Sequence, residues 1–180
     1  MRNMTSISGS KARIALGLCL LAGASSCAAL APARADETCN SPFMTGLIKG
    51  QEQYLHVWTL GEKGVGDESD KLVTIDVIPG SLTYGKVIHT LSVGGRGEAH
   101  HMGFTDDRKY LWAGRLDDNK IFIFDVGSDP STPKLVKTID DLAESTGFVG
   151  PHTFYALPGR MLVQALSNKL DHGGMTGLVT

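Results

Sequence analysis

An all-β fold of repeated four-stranded units, a β-propeller, is what this sequence predicts, and two observations predict it. The first is an ungapped internal match: His100 to Gly114 lies on Pro151 to Ala165 at an offset of 51 residues. His101 meets His152, Phe104 meets Tyr155, and Leu111-Trp112 meets Leu162-Val163. The second is that flanking strands repeat as well. Thr74-Ile75-Asp76-Val77 matches Ile123-Phe124-Asp125-Val126, and the run from Val87 to Leu91 matches that from Leu135 to Ile139, at offsets of 49 and 48. A period of roughly 50 residues holding about four strands marks a propeller blade. One such unit cannot bury both of its faces, so copies stack around an axis. The hairpin spacing of a β-sandwich also fits locally, but it leaves the repeat unexplained.

The elements follow in chain order. Residues 1–35 read as a signal peptide: Arg2, Lys11 and Arg13 are its basic start, Ile14 to Ala31 its apolar stretch, and Ala33-Arg34-Ala35 a small-x-small cleavage site. Gly17, Gly23, Ser25 and Ser26 interrupt the apolar stretch, which suits a removed signal better than a membrane span. Cys27 offers a lipoprotein-like alternative, ranked second because no large aliphatic residue stands three positions before it. The expectation is export to the periplasm, with no membrane attachment unless Cys27 is lipidated. Residues 36–180 are the propeller portion. Leu72 to Ile78 is a β-branched strand closed by Pro79-Gly80, and Lys86 to Val93 a strand closed by Gly94-Gly95. His101 to Thr105, Tyr110 to Ala113, Lys120 to Val126 and Lys134 to Ile139 follow, separated by Asp-, Asn- and Pro-containing turns. Asp140 to Ser145 is the one helix candidate and is very short. About three blades fit, fewer than the roughly four to eight that close a ring. With Thr180 following the apolar Gly177-Leu178-Val179, the chain is expected to be the N-terminal part of a longer propeller.

Composition narrows the function. The formal net charge is −2, with no basic block, so nucleic acid and anionic membranes are poor partners. Of three cysteines, Cys19 and Cys27 leave with the signal. The remaining Cys39 can be a buried thiol, a soft metal ligand or an intermolecular link, but not half of an intrachain disulfide.

Histidines carry the chemistry. His101 and His152 open equivalent channel-lining strands and so are expected to face each other near the axis, where imidazole suits copper or zinc. His100 joins them only if the backbone is irregular, because adjacent side chains on a strand point oppositely; Gly94-Gly95-Arg96-Gly97 upstream makes that plausible. The plain alternative for each is a polar loop residue or a satisfied core group. His172, in a glycine-rich loop, faces either the channel or solvent, and with Cys39 it is a weaker candidate. Glu98 either orients an imidazole or acts as a base, or is a solvated surface carboxylate. His89 is expected on an exposed face, since it matches Lys137, and His56 is read as structural. A calcium-dependent hydrolytic propeller would need carboxylates or Asn where histidines stand. The glycine loop is no phosphate loop, lacking the lysine and the following helix.

Gly97-Glu98-Ala99-His100-His101-Met102-Gly103-Phe104, and Ile121 to Pro130 followed by Pro133-Lys134-Leu135, resemble the selenium-binding protein / methanethiol oxidase family. The family shows a similar Glu-x-His-His stretch and a similar Asp-Val-Gly-Ser run before Pro-Lys-Leu. The resemblance implies a seven-bladed propeller, of which this chain supplies about a third. For exported bacterial members it implies a copper-dependent oxidase converting methanethiol, oxygen and water to formaldehyde, hydrogen sulfide and hydrogen peroxide. It would make His100, His101 and His152 copper ligands, with at least one further histidine in the missing C-terminal part. Animal members bind selenium at a cysteine after Tyr-Leu-Pro; Tyr54-Leu55-His56-Val57 has none, which counts against selenium binding here. The competing class is a non-enzymatic metal- or selenium-binding propeller.

Overall fold

Ten strands and one short helix form among residues 50–180, the part of the chain that the computed structural model describes. The expected signal segment, Cys27 and Cys39 lie outside these residues. Strands β1 (Tyr54–Thr59), β2 (Lys71–Asp76) and β3 (Val87–Ser92) make a first sheet. A four-stranded sheet follows in the order β4 (Ala99–Phe104), β5 (Tyr110–Arg115), β6 (Lys120–Asp125), β7 (Lys134–Ile139). After helix α1 (Leu142–Thr146), β8 (Val149–Leu157), β9 (Arg160–Ser167) and β10 (Gly177–Val179) make the third sheet. All pairings are antiparallel between consecutive strands, as short turns require.

Within the middle sheet, β6 is buried on both faces. Ile121, Phe122, Ile123 and Phe124 are all buried, a continuous apolar run rather than an alternation. Phe122 and Phe124 join Leu111, Ala113 and Val126 against Trp58 and Leu72 of the first sheet. Ile121 turns the other way and packs with Phe154, Met161 and Val163 of the third sheet, and with Leu142 of α1. Trp58 spans the first junction, donating from Nε1 to the Gly114 carbonyl at 2.9 Å. Three sheets therefore share two apolar seams, as stacked repeats require.

The repeat offset survives in the hydrogen-bond register. Phe104 pairs with Leu111 in the second sheet, and Tyr155 with Leu162 in the third, as the ungapped match demands. Expected strands from Leu72 to Ile139 appear with ends shifted by a few residues. One expectation is corrected. His89 does not lie on an exposed face: it pairs with Thr74, which is fully buried, and its Nε2 is shut away from solvent without a hydrogen-bond partner among the described residues. Its inward phase follows from Leu91, two residues on, which packs against the first apolar seam.

His56 is structural, as read from sequence. It is 8 % exposed, with Nδ1 3.2 Å from the Thr74 hydroxyl. Burial, with Arg108 adding to it, pulls its imidazole down from 6.5 to about 4. The folded value is below the unfolded one, so stability is complete above about pH 6.5 and falls as the unfolded chain takes up the proton on the way to pH 4. The loss should be about 3 kcal/mol. Urea unfolding between pH 7 and 4 should show a shallower acid-side slope in His56→Gln; identical slopes would refute this origin. Among the described residues no helix is long and apolar enough to cross a membrane.

Candidate metal centre

A β-bulge solves the problem that adjacent histidines pose. Between the pairs Ala99–Arg115 and Met102–Ala113, β4 carries one residue more than β5, and His100 and His101 occupy that irregularity. β8 does the same: its pairing slips between Pro151–Ala165 and Thr153–Gln164, leaving His152 in the break. Bulges re-aim side chains that a regular pleat would alternate. β4 lies alongside β8, so the two irregularities meet.

The result is a triangle of imidazoles. Ring centroids are 4.5 Å apart for each of the pairs His100–His101, His100–His152 and His101–His152. Nε2 of His100 and Nε2 of His152 are 2.9 Å apart, so one ring donates to the other. One ligand nitrogen from each residue falls in a set no more than 4.8 Å across. Nitrogens bound at about 2.0 to 2.1 Å to one metal stand roughly 3 to 4 Å apart, so this set fits a single ion. His100 is exposed, and His101 and His152 are half-buried.

Electrostatics favours the ligand form. Desolvation, then the neighbouring His100, lowers the pKa of His101 below its ordinary value. Desolvation does the same for His152, reinforced by His101 and His100 and opposed by a hydrogen bond with Gln164. Both rings are therefore held neutral at neutral pH, the state that coordinates metal. Nδ1 of His152 is 2.9 Å from the Thr153 hydroxyl, a contact that fixes the ring and leaves Nε2 facing its partners.

The structure brings together His100, His101 and His152, and does not add His172 or Glu98; Cys39 lies outside the described residues. His172 is exposed and lies against Gly150, where a Cβ would stand 3.3 Å from its Nε2. It is not among the clustered ligands. Glu98 is exposed, its backbone is left-handed at φ 61°, and no hydrogen bond of its carboxylate is found among the described residues. Thr153 and Gln164 are the supporting residues that sequence reading missed. Thr153 follows His152 directly, which is a signal of sorts; Gln164 reaches the site only through strand pairing.

The chain matches the family described as 56kDa selenium binding protein (SBP56) over residues 33–179. It is 79% identical over 144 residues to a methanethiol oxidase of Hyphomicrobium sp, covering 80% of this chain and 33% of the relative. Against a methanethiol oxidase of Ruegeria pomeroyi it is 64% identical over 146 residues, covering 81% and 33%. In three dimensions it is similar to a hypothetical selenium-binding protein from Sulfolobus tokodaii. The TM-score is 0.65 at 24% identity, covering 77% of this chain and 33% of that one. The chain spans about a third of the length of the curated relatives it matches.

Proposed function

The chain belongs to the 56 kDa selenium-binding protein family, and on that premise we propose that it acts in a copper-dependent oxidase of small thiols. The reaction is methanethiol, oxygen and water to formaldehyde, hydrogen sulfide and hydrogen peroxide. The observation that carries the reading is the triangle of His100, His101 and His152, set in a chain highly similar to proteins named methanethiol oxidase.

The donor set suits copper: three imidazoles, with no carboxylate among the clustered ligands of the described residues. His100, His101 and His152 would hold the ion. Bound copper would supply a soft site for a thiolate and one-electron exchange with oxygen. The protein's own part is positional. The two bulges turn the rings toward one point, the Thr153 hydroxyl fixes His152, and desolvation lowers the pKa of His101 and of His152. His100 is exposed, which leaves the cluster open to a small substrate.

The architecture proposed with this activity is a seven-bladed propeller whose successive blades include the three sheets. Its support is the repeat near 50 residues and the correspondence of β2 and β3 with β6 and β7. Export to the periplasm is part of the same reading; sequencing the mature N-terminus should give Asp36, and a lipidated Cys27 would contradict it.

Product analysis tests the function. Purified full chain given methanethiol should release sulfide, formaldehyde and peroxide in equal amounts per oxygen consumed. A non-enzymatic binding propeller would take up copper or selenium and form no peroxide.

A further inference from the structure

Two ionisable side chains are buried beside the segment that delivers His100 and His101, and metal binding itself uses neither. Asp70 is 0 % exposed and Arg115 5 %. Asp70 sits just before β2 in the first sheet. One carboxylate oxygen accepts from the Gly61 amide at 2.8 Å and the other from the Gly97 amide at 3.0 Å. Its own amide donates to the Gly95 carbonyl at 2.9 Å. Arg115, at the end of β5 in the second sheet, approaches the same segment from the other side. It donates from Nη1 to the carbonyls of Gly94 at 2.9 Å and Gly95 at 3.3 Å, while Nε and Nη2 grip Asp118 at 2.8 and 2.5 Å. Its guanidinium lies over Phe122, 4.9 Å from the ring centre. Gly97 packs so tightly on the arginine that a Cβ would stand 2.7 Å from its Cδ.

Burying charged groups is costly unless each is hydrogen-bonded, and here the bonds converge on one short segment, Gly94 to Gly97. That segment enters β4 at Ala99, whose partner across the ladder is Arg115 itself, and the bulge holding His100 and His101 begins there. Between them stands Glu98 at φ 61°, a backbone state that a non-glycine residue keeps only when its surroundings impose it. The amides of Leu116 and Asp117 hold the carbonyls of Glu98 and Gly97 at 3.2 and 3.0 Å, completing that constraint.

We propose that Asp70 and Arg115 are positioning residues for the candidate metal centre: they clamp Gly94 to Gly97 from two sheets, and the clamp fixes the bulge that turns both His100 and His101 toward His152. The proposal rests on the metal-binding reading for its effect on copper, and on geometry alone for its effect on the rings. An ordinary structural role would lower stability without moving the histidines. Asp76 supplies the comparison, being 3 % exposed on β2 and fully hydrogen-bonded to Ser81, Thr83 and Ile78, away from the bulge.

The experiment uses the full chain as Asp70→Asn, Arg115→Lys and Asp76→Asn, with two readouts. Copper affinity is measured by competition with a chelator, and imidazole ring resonances are recorded by NMR on metal-free protein. Asp70→Asn and Arg115→Lys should each weaken copper binding about 10- to 100-fold and shift the rings of His100 and His101. Asp76→Asn should lower the melting temperature and move neither readout. If Asp70→Asn fails to fold, Arg115→Lys gives the same reading with its positive charge kept and the bidentate grip lost. Ring shifts without copper binding in the parent protein would uphold the clamp and defeat the metal reading. Unshifted His100 and His101 rings in both clamp variants, or equal effects from Asp76→Asn, would overturn the clamp.

Discussion

His101→Ala or His152→Ala, in the full chain, should each remove most of the bound copper, and the double variant should be little worse than either single. The three ligand nitrogens lie within 4.8 Å of one another, so each ring contributes a comparable share of one site. Removing one leaves a pair that cannot complete the coordination, and the second removal then has little left to take. Of these two, His152 comes from a different sheet, so its loss also separates β8's contribution from β4's. His89→Ala should leave copper content near normal, because His89 stands in the first sheet facing Thr74 and not the triangle. Metal analysis after confirming each variant's melting curve reads the outcome. Full copper in a folded double variant would place the site elsewhere.

Gly114→Ala should be the most damaging single-methyl change near the site. Gly114 lies on β5 where β8 crosses it, and a Cβ there would stand 2.4 Å from the Pro151 carbonyl oxygen and 3.0 Å from Cε2 of Phe154. Neither a backbone carbonyl nor a ring that is 1 % exposed can give way freely. The cost should be about 1 to 3 kcal/mol of stability. The displaced residue is the immediate neighbour of His152, so weaker copper binding should accompany the lower melting temperature. Gly127→Ala is the matched comparison: its added Cβ would meet Lys109 at 2.8 Å, in a surface turn away from the triangle. It should destabilise without changing copper affinity. Unchanged melting in Gly114→Ala would mean that β5 and β8 are not in such close contact.

Much of this architecture was readable because register, once set, propagates. The 51-residue offset equates Phe104 with Tyr155 and Leu111 with Leu162, and those residues do pair in the same way in their own sheets. β6 was legible from its Ile-Phe-Ile-Phe run, and β2 from its β-branched alternation. The convergence of His101 with His152 followed from the same offset. What could not be read depends on pairing between distant segments. A bulge is a mismatch in residue count between two strands, and nothing local to His100-His101 or His152 announces it. His89 was misplaced because the phase of β3 is fixed by its partner β2, where the register itself shifts between Thr74 and Ile75. Asp70 and Arg115 are far apart in sequence, and each looks like an ordinary surface charge until the sheets are stacked.

Oxygen uptake driven by methanethiol, followed as copper is stripped from the purified full chain and then restored, tests the central claim most directly. Uptake should fall in proportion to the copper removed, return on reconstitution, and stay absent in the His101→Ala, His152→Ala variant at any copper concentration. Undiminished uptake by copper-free protein would contradict the assignment of the three histidines as the seat of the reaction.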